Sequence, residues 1–388
     1  MADSNGDQSL KWYSTREPVI LLALTTLTVV FFLAVSALSR IYHTQQESLG
    51  ESWFKRGEAD EQAGQLDRAI TEFRAAELYS RDNFVYQLNL AGALAARGKT
   101  DEAYSYLLNL RERQPDNGTV NLELARILAQ RGDTPQAIRF YRNALNAVWD
   151  SAPEEHRRAV RFEFIDFLLK NKAVNQAQSE LIALAGNLPQ DAGVRTRVGD
   201  LFLETQDYQH ALHEFRDALS IDHHNSAALA GAGRASFEMA AYPSAKRYLQ
   251  AAVAANPDDS ASADLLKTVD LVLDLDPFRH QLAAAQRVRA VIEAFAAAGE
   301  RLKACPLPSE ADAQVSYTAT AKPTLETRWR EMKPRVNETA LRRNPDLVET
   351  IMDLVFAIEQ QTSAECGAPS GKDMALLLVS KLHEGSER

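Results

Sequence analysis

Residues 65–98 read QLDRAITEFRAAELYSRDNFVYQLNLAGALAARG, and residues 99–132 read KTDEAYSYLLNLRERQPDNGTVNLELARILAQRG. Both stretches are 34 residues long and follow one plan. An alanine (Ala69, Ala103) is followed four positions on by a large apolar residue (Phe73, Leu107) and three beyond that by a smaller one (Ala76, Leu110). A polar break, a second apolar run and a closing Arg-Gly complete the unit. Self-similarity at a fixed period of this length is the mark of a stacked repeat.

The columns extend outward from these two units. The alanine recurs at Ala137 and then, after a shift, at Ala177, Ala211 and Ala245. The large column continues as Tyr141, Leu181, Phe215 and Leu249, and the smaller one as Ala144, Leu184, Ala218 and Ala252. Small residues let helices approach closely, and the large side chains fill the space between them. A second small column, Gly57, Ala91, Ala125, Gly199 and Gly233, belongs to the preceding helix of each unit, with Ile165 as its exception. Gly64, Gly98 and Gly132 stand where a positive-φ residue ends that helix. Pro115, Pro189 and Pro257 close units, since proline stops a helix. About six extra residues around 151–157 account for the shift and predict a wider turn or a longer helix between units three and four.

With Trp53 and Gly57 opening the first unit and prolines closing later ones, residues 50–259 resemble the tetratricopeptide repeat (TPR) family. The resemblance implies six helix pairs stacked into a right-handed superhelical arc, whose first helices line a concave groove for an extended peptide or helix of another protein. In the first four units that groove would present Phe54, Glu58, Glu61, Gln62, Leu88, Arg126, Gln130, Asp166 and Lys170. In the last two it would present Asp200, Glu204, Arg234, Phe237 and Glu238. The mixed signs suggest a partner read by patches. Phe54 and Glu58 stand where chaperone-binding members carry a carboxylate clamp, which argues against that subtype although Asn89 matches one position.

The stretch VILLALTTLTVVFFLAVSALS, residues 19–39, carries no charge. At about 1.5 Å per residue a helix of roughly 20 apolar residues crosses the hydrocarbon core, so the run predicts a transmembrane helix with the lipid bilayer as its partner. Trp12, Tyr13 and Tyr42 suit the two interfaces. A cleaved signal is the competing reading, with Ala34, Ser36 and Ala37 offering a site, but a signal h-region is usually about 7–15 residues. Lys11 and Arg16 before the span, against Arg40 close behind it, lean toward an outside bulk. That is the periplasmic face of the inner membrane if the source is bacterial. The opposite topology faces the cytoplasm.

The expected organisation is therefore all-α: a tail over 1–18, the span over 19–39, a linker over 40–49, repeats over 50–259, a capping helix over 260–277 and a C-terminal helical region over 278–388. In that last region an amphipathic helix is expected over about 279–303, a loop over 306–323, and three shorter helices near 324–342, 345–363 and 371–384. Its sequence resembles no family. It holds the chain's only cysteines, Cys305 and Cys366, at helix ends, where a bridge in an oxidising compartment is expected.

A net charge of −10 at neutral pH provides no broad basic footprint for nucleic acid. No Walker-type loop, Rossmann fingerprint, nucleophile elbow or H-E-x-x-H occurs, so no cofactor or catalytic residue is expected. His210 and His213, with His223–His224 in the next turn, read as exposed polar positions rather than a metal site. The sequence thus reads as a membrane-anchored protein-binding scaffold, in envelope assembly, secretion or protein quality control. The alternatives are a carbohydrate-binding repeat protein of polysaccharide export and an enzyme with its site in the C-terminal region.

Overall fold

A computed structural model describes the backbone of residues 9–307 and 324–384, with side chains from Val19 onward. The interfacial pair Trp12 and Tyr13, and residues 308–323 of the expected loop, lie outside those descriptions. The described residues are helical, with one isolated bridge, Asn117 to Val148, and no strand. They divide into two compact units, Met1–Ala173 and Val174–Arg388.

The first unit holds α1 (Ser9–Gln62), α2 (Leu66–Tyr79), α3 (Phe84–Ala96), α4 (Thr100–Arg113), α5 (Gly118–Gln130), α6 (Thr134–Asn146) and α7 (Pro153–Lys170). Each packs on its neighbours in sequence. The second holds α8 (Val174–Ala185), α9 (Ala192–Glu204), α10 (Tyr208–Ile221), α11 (Ser226–Glu238), α12 (Tyr242–Ala255) and α13 (Ser260–Leu275). It continues with α14 (Ala284–Ala304), α15 (Leu325–Met332), a 3-10 turn (Lys333–Arg335), α16 (Glu338–Arg343), α17 (Pro345–Cys366) and α18 (Gly371–His383).

The repeat columns form the core. All eighteen members of the alanine, large and smaller columns are at most 3% exposed, from Ala69, Phe73 and Ala76 to Ala245, Leu249 and Ala252. The glycines of the first helices are what allow the large column to fit. A Cβ at Gly57 would lie 2.6 Å from the Phe73 ring, and one at Gly233 would lie 2.6 Å from Leu249. Asn83, Asn117, Asp133, Asp191, Asp207, Asn225 and Asp259 cap helices by accepting backbone N–H bonds in the first turn. The turn inside each repeat passes through one left-handed residue. Gly64, Gly98 and Gly132 supply it in the first three repeats, and Lys172, Gln206 and Ala240 adopt it in the last three.

The extra residues between units three and four both widen a turn and lengthen a helix. α7 runs 18 residues, against 13 for α5 and α6. The loop before it folds Trp149 back over Gly118, where a Cβ would meet the indole at 2.4 Å. The indole N–H donates to the Ala144 carbonyl at 3.1 Å, and His156 stacks on the ring. Ile165, the exception in the small column, is fully buried beside Phe164, which stacks on Tyr141.

Several boundaries differ from expectation. Residues 40–49 are not a break: α1 continues through them into the first repeat. The C-terminal amphipathic helix starts at Ala284, not near 279, because residues 278–283 are taken by a turn with Gln281 at φ 62°. The helix expected over 324–342 is interrupted at Lys333–Arg335, where Pro334 cannot donate, and resumes as α16 after an Asn337 cap. Cys366 is the last residue of α17 rather than a loop residue behind it.

The C-terminal region shares a core with the last repeat. Tyr242, Ala245 and Leu249 of α12 and Val269, Val272 and Leu273 of α13 join Val291, Phe295, Ile351, Val355, Leu376 and Val379 in one cluster. Trp329 stacks on Phe295 and sits over Gly299. Cys305, just after α14, and Cys366 are joined, with Cα atoms 6.2 Å apart. A bridge closing a loop of that length stabilises by about 4 kcal/mol in the chain-entropy model.

The left-handed turn residues yield a stability test. A side chain at such a position costs roughly 1–2 kcal/mol that glycine avoids, less the extra entropy glycine gains on unfolding. Replacing the exposed Gln206 by glycine should raise stability by about 0.5–1 kcal/mol. Gly98→Ala should lower it by a similar amount, both read from denaturant midpoints.

Candidate partner-binding face

The residues expected to line the groove fall into three groups. Some are spent on internal packing. Phe54 is half-buried, stacked on Tyr86 with ring centroids 4.7 Å apart and tilted against Phe73 at 5.6 Å. Phe237 is likewise half-buried, edge-on to Tyr242 and packed against the C-terminal core.

Arg126 belongs to a second group, side chains satisfied by their neighbours. Its guanidinium donates to both oxygens of Glu163 on α7, at 2.9 and 2.6 Å, and to Glu123 at 2.7 Å. The Tyr141 hydroxyl donates to the same Glu163 at 2.9 Å. Burial works against the Glu163 charge, but the bonds from Arg126 and Tyr141 outweigh it and hold that carboxyl below its usual range. Bidentate arginine–carboxylate geometry is directional as well as strong. Arg126 therefore ties α5 to α7 and is not an open recognition charge.

The third group is exposed. Asp166 and Lys170 sit exposed one turn apart on α7 and Gln130 is exposed on α5, while Leu88 on α3 and Glu58 and Glu61 on α1 are half-buried, with Gln62 exposed beside the last two. Crowding by protein raises the Glu61 carboxyl, and the Glu58 charge adds to the effect. In the second unit Asp200, Glu204, Arg234 and Glu238 are all exposed. Asp200 and Arg234 occupy the same position in successive repeats, on the contacting helices α9 and α11. Surrounding protein thins the water around Asp200 and raises its carboxyl, and the Arg234 charge opposes that shift. Glu204 and Glu238 form the next shared position. This face of α9 and α11 offers a solvated acid–base–acid pattern able to hydrogen-bond a peptide.

Two polar clusters escaped the sequence reading. Arg195 of α9 donates from one nitrogen to Glu214 and to Asp217 of α10, at 2.9 Å each, with Glu214 almost wholly buried. His213, Glu214 and Asp217 offer ligand atoms within 4.8 Å of one another, but the Arg195 guanidinium already supplies the positive charge there. His210 instead bonds Asp207 at 2.8 Å and stacks on Phe202. The second cluster lies in the C-terminal region. Glu359 is fully buried, and neither carboxyl oxygen has a hydrogen-bond partner among the described residues. Burial first, then the Asp373 charge, push its pKa up to about 8, with Arg301 opposing. Only a lone acid within an apolar helix pattern signalled it in the sequence.

Residues 94–148 and 202–268 match the family model described as tetratricopeptide repeat. Those two stretches are tetratricopeptide repeats. No curated protein sequence matches the chain. Among solved structures, YrrB, described as a TPR protein with an unusual peptide-binding site, is 16% identical, with 49% of this chain and 95% of that one covered at TM-score 0.39. PilF of Pseudomonas aeruginosa is 15% identical, with 56% and 96% covered at TM-score 0.40. The C-terminal part of a TPR repeat-containing protein from Cytophaga hutchinsonii is 13% identical, with 68% and 100% covered at TM-score 0.45.

The Glu359 site makes the TPR chain's stability depend on pH. Its folded pKa, about 8, lies above the unfolded value near 4.3, so its neutral form is favoured by folding. Stability is full below about pH 4.3 and is lost as pH rises toward the folded pKa, at up to about 1.4 kcal/mol per unit. Glu359→Gln removes that slope. The unfolding free energies of variant and parent should agree within error near pH 4 and diverge by a few kcal/mol at pH 8, with the variant the more stable.

Proposed function

We propose that this chain is a single-pass membrane scaffold that gathers partner proteins on its TPR first-helix face. The observation that carries the reading is the run of exposed charges in matching positions of successive repeats, Asp200 with Arg234 and Glu204 with Glu238, while the helices beneath are fully packed. Side chains held on a rigid stack at a regular spacing read an extended partner segment by segment. The first unit offers charges of its own, Glu58, Glu61, Asp166 and Lys170, with Arg126 in a supporting role through Glu163.

Residues 19–39 are the proposed anchor. Every large apolar side chain in that stretch is about half exposed or more, and α1 alone among the described helices is long and apolar enough to cross a membrane. A signal sequence passes the same test. The anchor reading is supported by the run of 21 residues and by the helix continuing unbroken to Gln62. Thr25, Thr26 and Thr28 return their hydroxyls to backbone carbonyls one turn back, which lowers their cost in lipid. A bulk outside the cytoplasm, at the periplasmic face if bacterial, is supported by the Cys305–Cys366 bridge, since disulfides persist where thiols are oxidised. A protein partner is favoured over a glycan, since the two expected aromatic platforms, Phe54 and Phe237, are turned to internal stacks. The processes that fit are envelope assembly, secretion and protein quality control.

Two measurements test this. The intact chain should stay in the membrane pellet through carbonate extraction, whereas release of a shortened form would make residues 19–39 a cleaved signal. Photo-crosslinkers placed at Arg234 and Glu238 should capture discrete protein partners in membranes, and charge reversal at Asp200, Arg234 and Glu238 together should abolish the adducts. In the same cells neither cysteine should react with a thiol blocker before reduction.

A further inference from the structure

The first repeat bounds an open pocket of about 600 Å3 between the foot of α1 and the turn joining α2 to α3. His43 and Glu47 of α1, Arg81 and Asp82 of the turn, and Tyr79 and Tyr86 line it. Gly50 brings the walls together: a Cβ there would stand 3.3 Å from the Tyr86 ring and 3.4 Å from Tyr79. The turn is held from behind. The Arg81 carbonyl accepts from Gln87, the Asp82 carbonyl accepts from Arg113, and Asn83 caps α3. The pocket wall is thus held by side chains bonded to the turn backbone and does not need a ligand to form.

Its charges are arranged for a zwitterion. Arg81, Glu47 and Asp82 form no ion pair among the described residues, whereas Glu51 nearby is paired with Lys55 at 2.6 Å. Burial, then the charges of Glu51 and Glu47, raise the Tyr86 hydroxyl, which places these carboxylates on the α1 side of the cavity. One cation and two unpaired carboxylates disfavour a purely anionic ligand and match a phosphate joined to a primary ammonium.

The height of the site follows from the unbroken α1. His43 lies four residues past Ser39, about 6 Å along the axis, and Glu51 lies twelve past, about 18 Å. The headgroup layer of one leaflet is roughly 5–7 Å thick, so the lower rim of the cavity sits within it. Leu78 and Val85, which flank the turn, are 70% and 51% exposed, as suits side chains turned toward a bilayer surface.

We propose that this cavity binds the phosphoethanolamine headgroup of a bilayer phospholipid, with Arg81 on the phosphate and Glu47 and Asp82 on the ammonium. The proposal rests on residues 19–39 being a retained span. A bound lipid would fix the first repeat against the membrane surface and so set the direction in which the scaffold projects.

The test is native mass spectrometry of the full chain in mild detergent, titrated in parallel with phosphatidylethanolamine, phosphatidylcholine, phosphatidylglycerol and water-soluble glycerophosphoethanolamine. One phosphatidylethanolamine adduct should form in preference to the others, because choline lacks N–H donors and glycerol lacks the charge. Removing one charge-assisted bond, by Arg81→Ser or Glu47→Gln, should weaken that adduct about tenfold. Both positions are exposed, and circular dichroism should report an unchanged fold. Equal adducts with all three lipids, or adducts indifferent to both substitutions, belong to lipid around the span and would overturn the site. Glycerophosphoethanolamine binding as tightly as the lipid would overturn the bilayer source. Carbonate extraction keeps the two readings apart: a retained protein without lipid preference refutes only the cavity, and a released one refutes the anchor.

Discussion

The fold depends on how closely two helices approach when one offers a residue without a side chain and the other a ring. Gly199 and Gly231 both face Phe215, and a Cβ at either would lie within 2.7 Å of that ring. The ring has no other place to go, since Phe215 is wholly buried. Gly57 over Phe73 repeats the arrangement in the first repeat, and Gly233 over Leu249 repeats it in the sixth. Such contacts gain dispersion energy only at short range, so register and spacing are decided together. The alanine column on the second helices extends the same logic along the stack.

A stacked repeat has an unmet apolar face at its end, and here the described helices of the C-terminal region cover it. α13 continues the stack, and α18, the last described helix, packs along α13 while α14 and α17 close the core behind it. Bringing elements more than a hundred residues apart in sequence into one cluster carries a loop-closure cost. The Cys305–Cys366 bridge reduces the entropy of the unfolded loop and offsets part of that cost. Glu359 works in the opposite direction, a buried acid without a partner inside this core. Its cost is modest only while the carboxyl stays protonated.

The polar residues divide by whether a neighbour satisfies them. Arg126 and Arg234 each follow the small-column residue of a first helix, yet Arg126 is locked by Glu163 on α7, as Arg195 is by Glu214 on α10, and Arg234 is exposed. A charge fully met inside the protein has little left for a partner. The same division separates Glu51, paired with Lys55, from Glu47 on the preceding turn.

The repeat register, the helix pairs and the long apolar N-terminal helix were legible in the sequence, because period and burial are carried by each residue's own size and polarity. The spacing of Ala69, Ala103 and Ala137 needs no knowledge of distant contacts, and all three are buried as their column requires. The left-handed turn was legible only where glycine marks it. At Lys172, Gln206 and Ala240 the conformation is imposed by the helices on either side. What the tertiary structure alone decided is which polar groups meet. Arg126 with Glu163, Arg195 with Glu214 and Glu359 with no partner depend on angstrom-scale placement across separate helices. Electrostatic and hydrogen-bond energies change over those distances, whereas a residue's hydrophobicity does not depend on them.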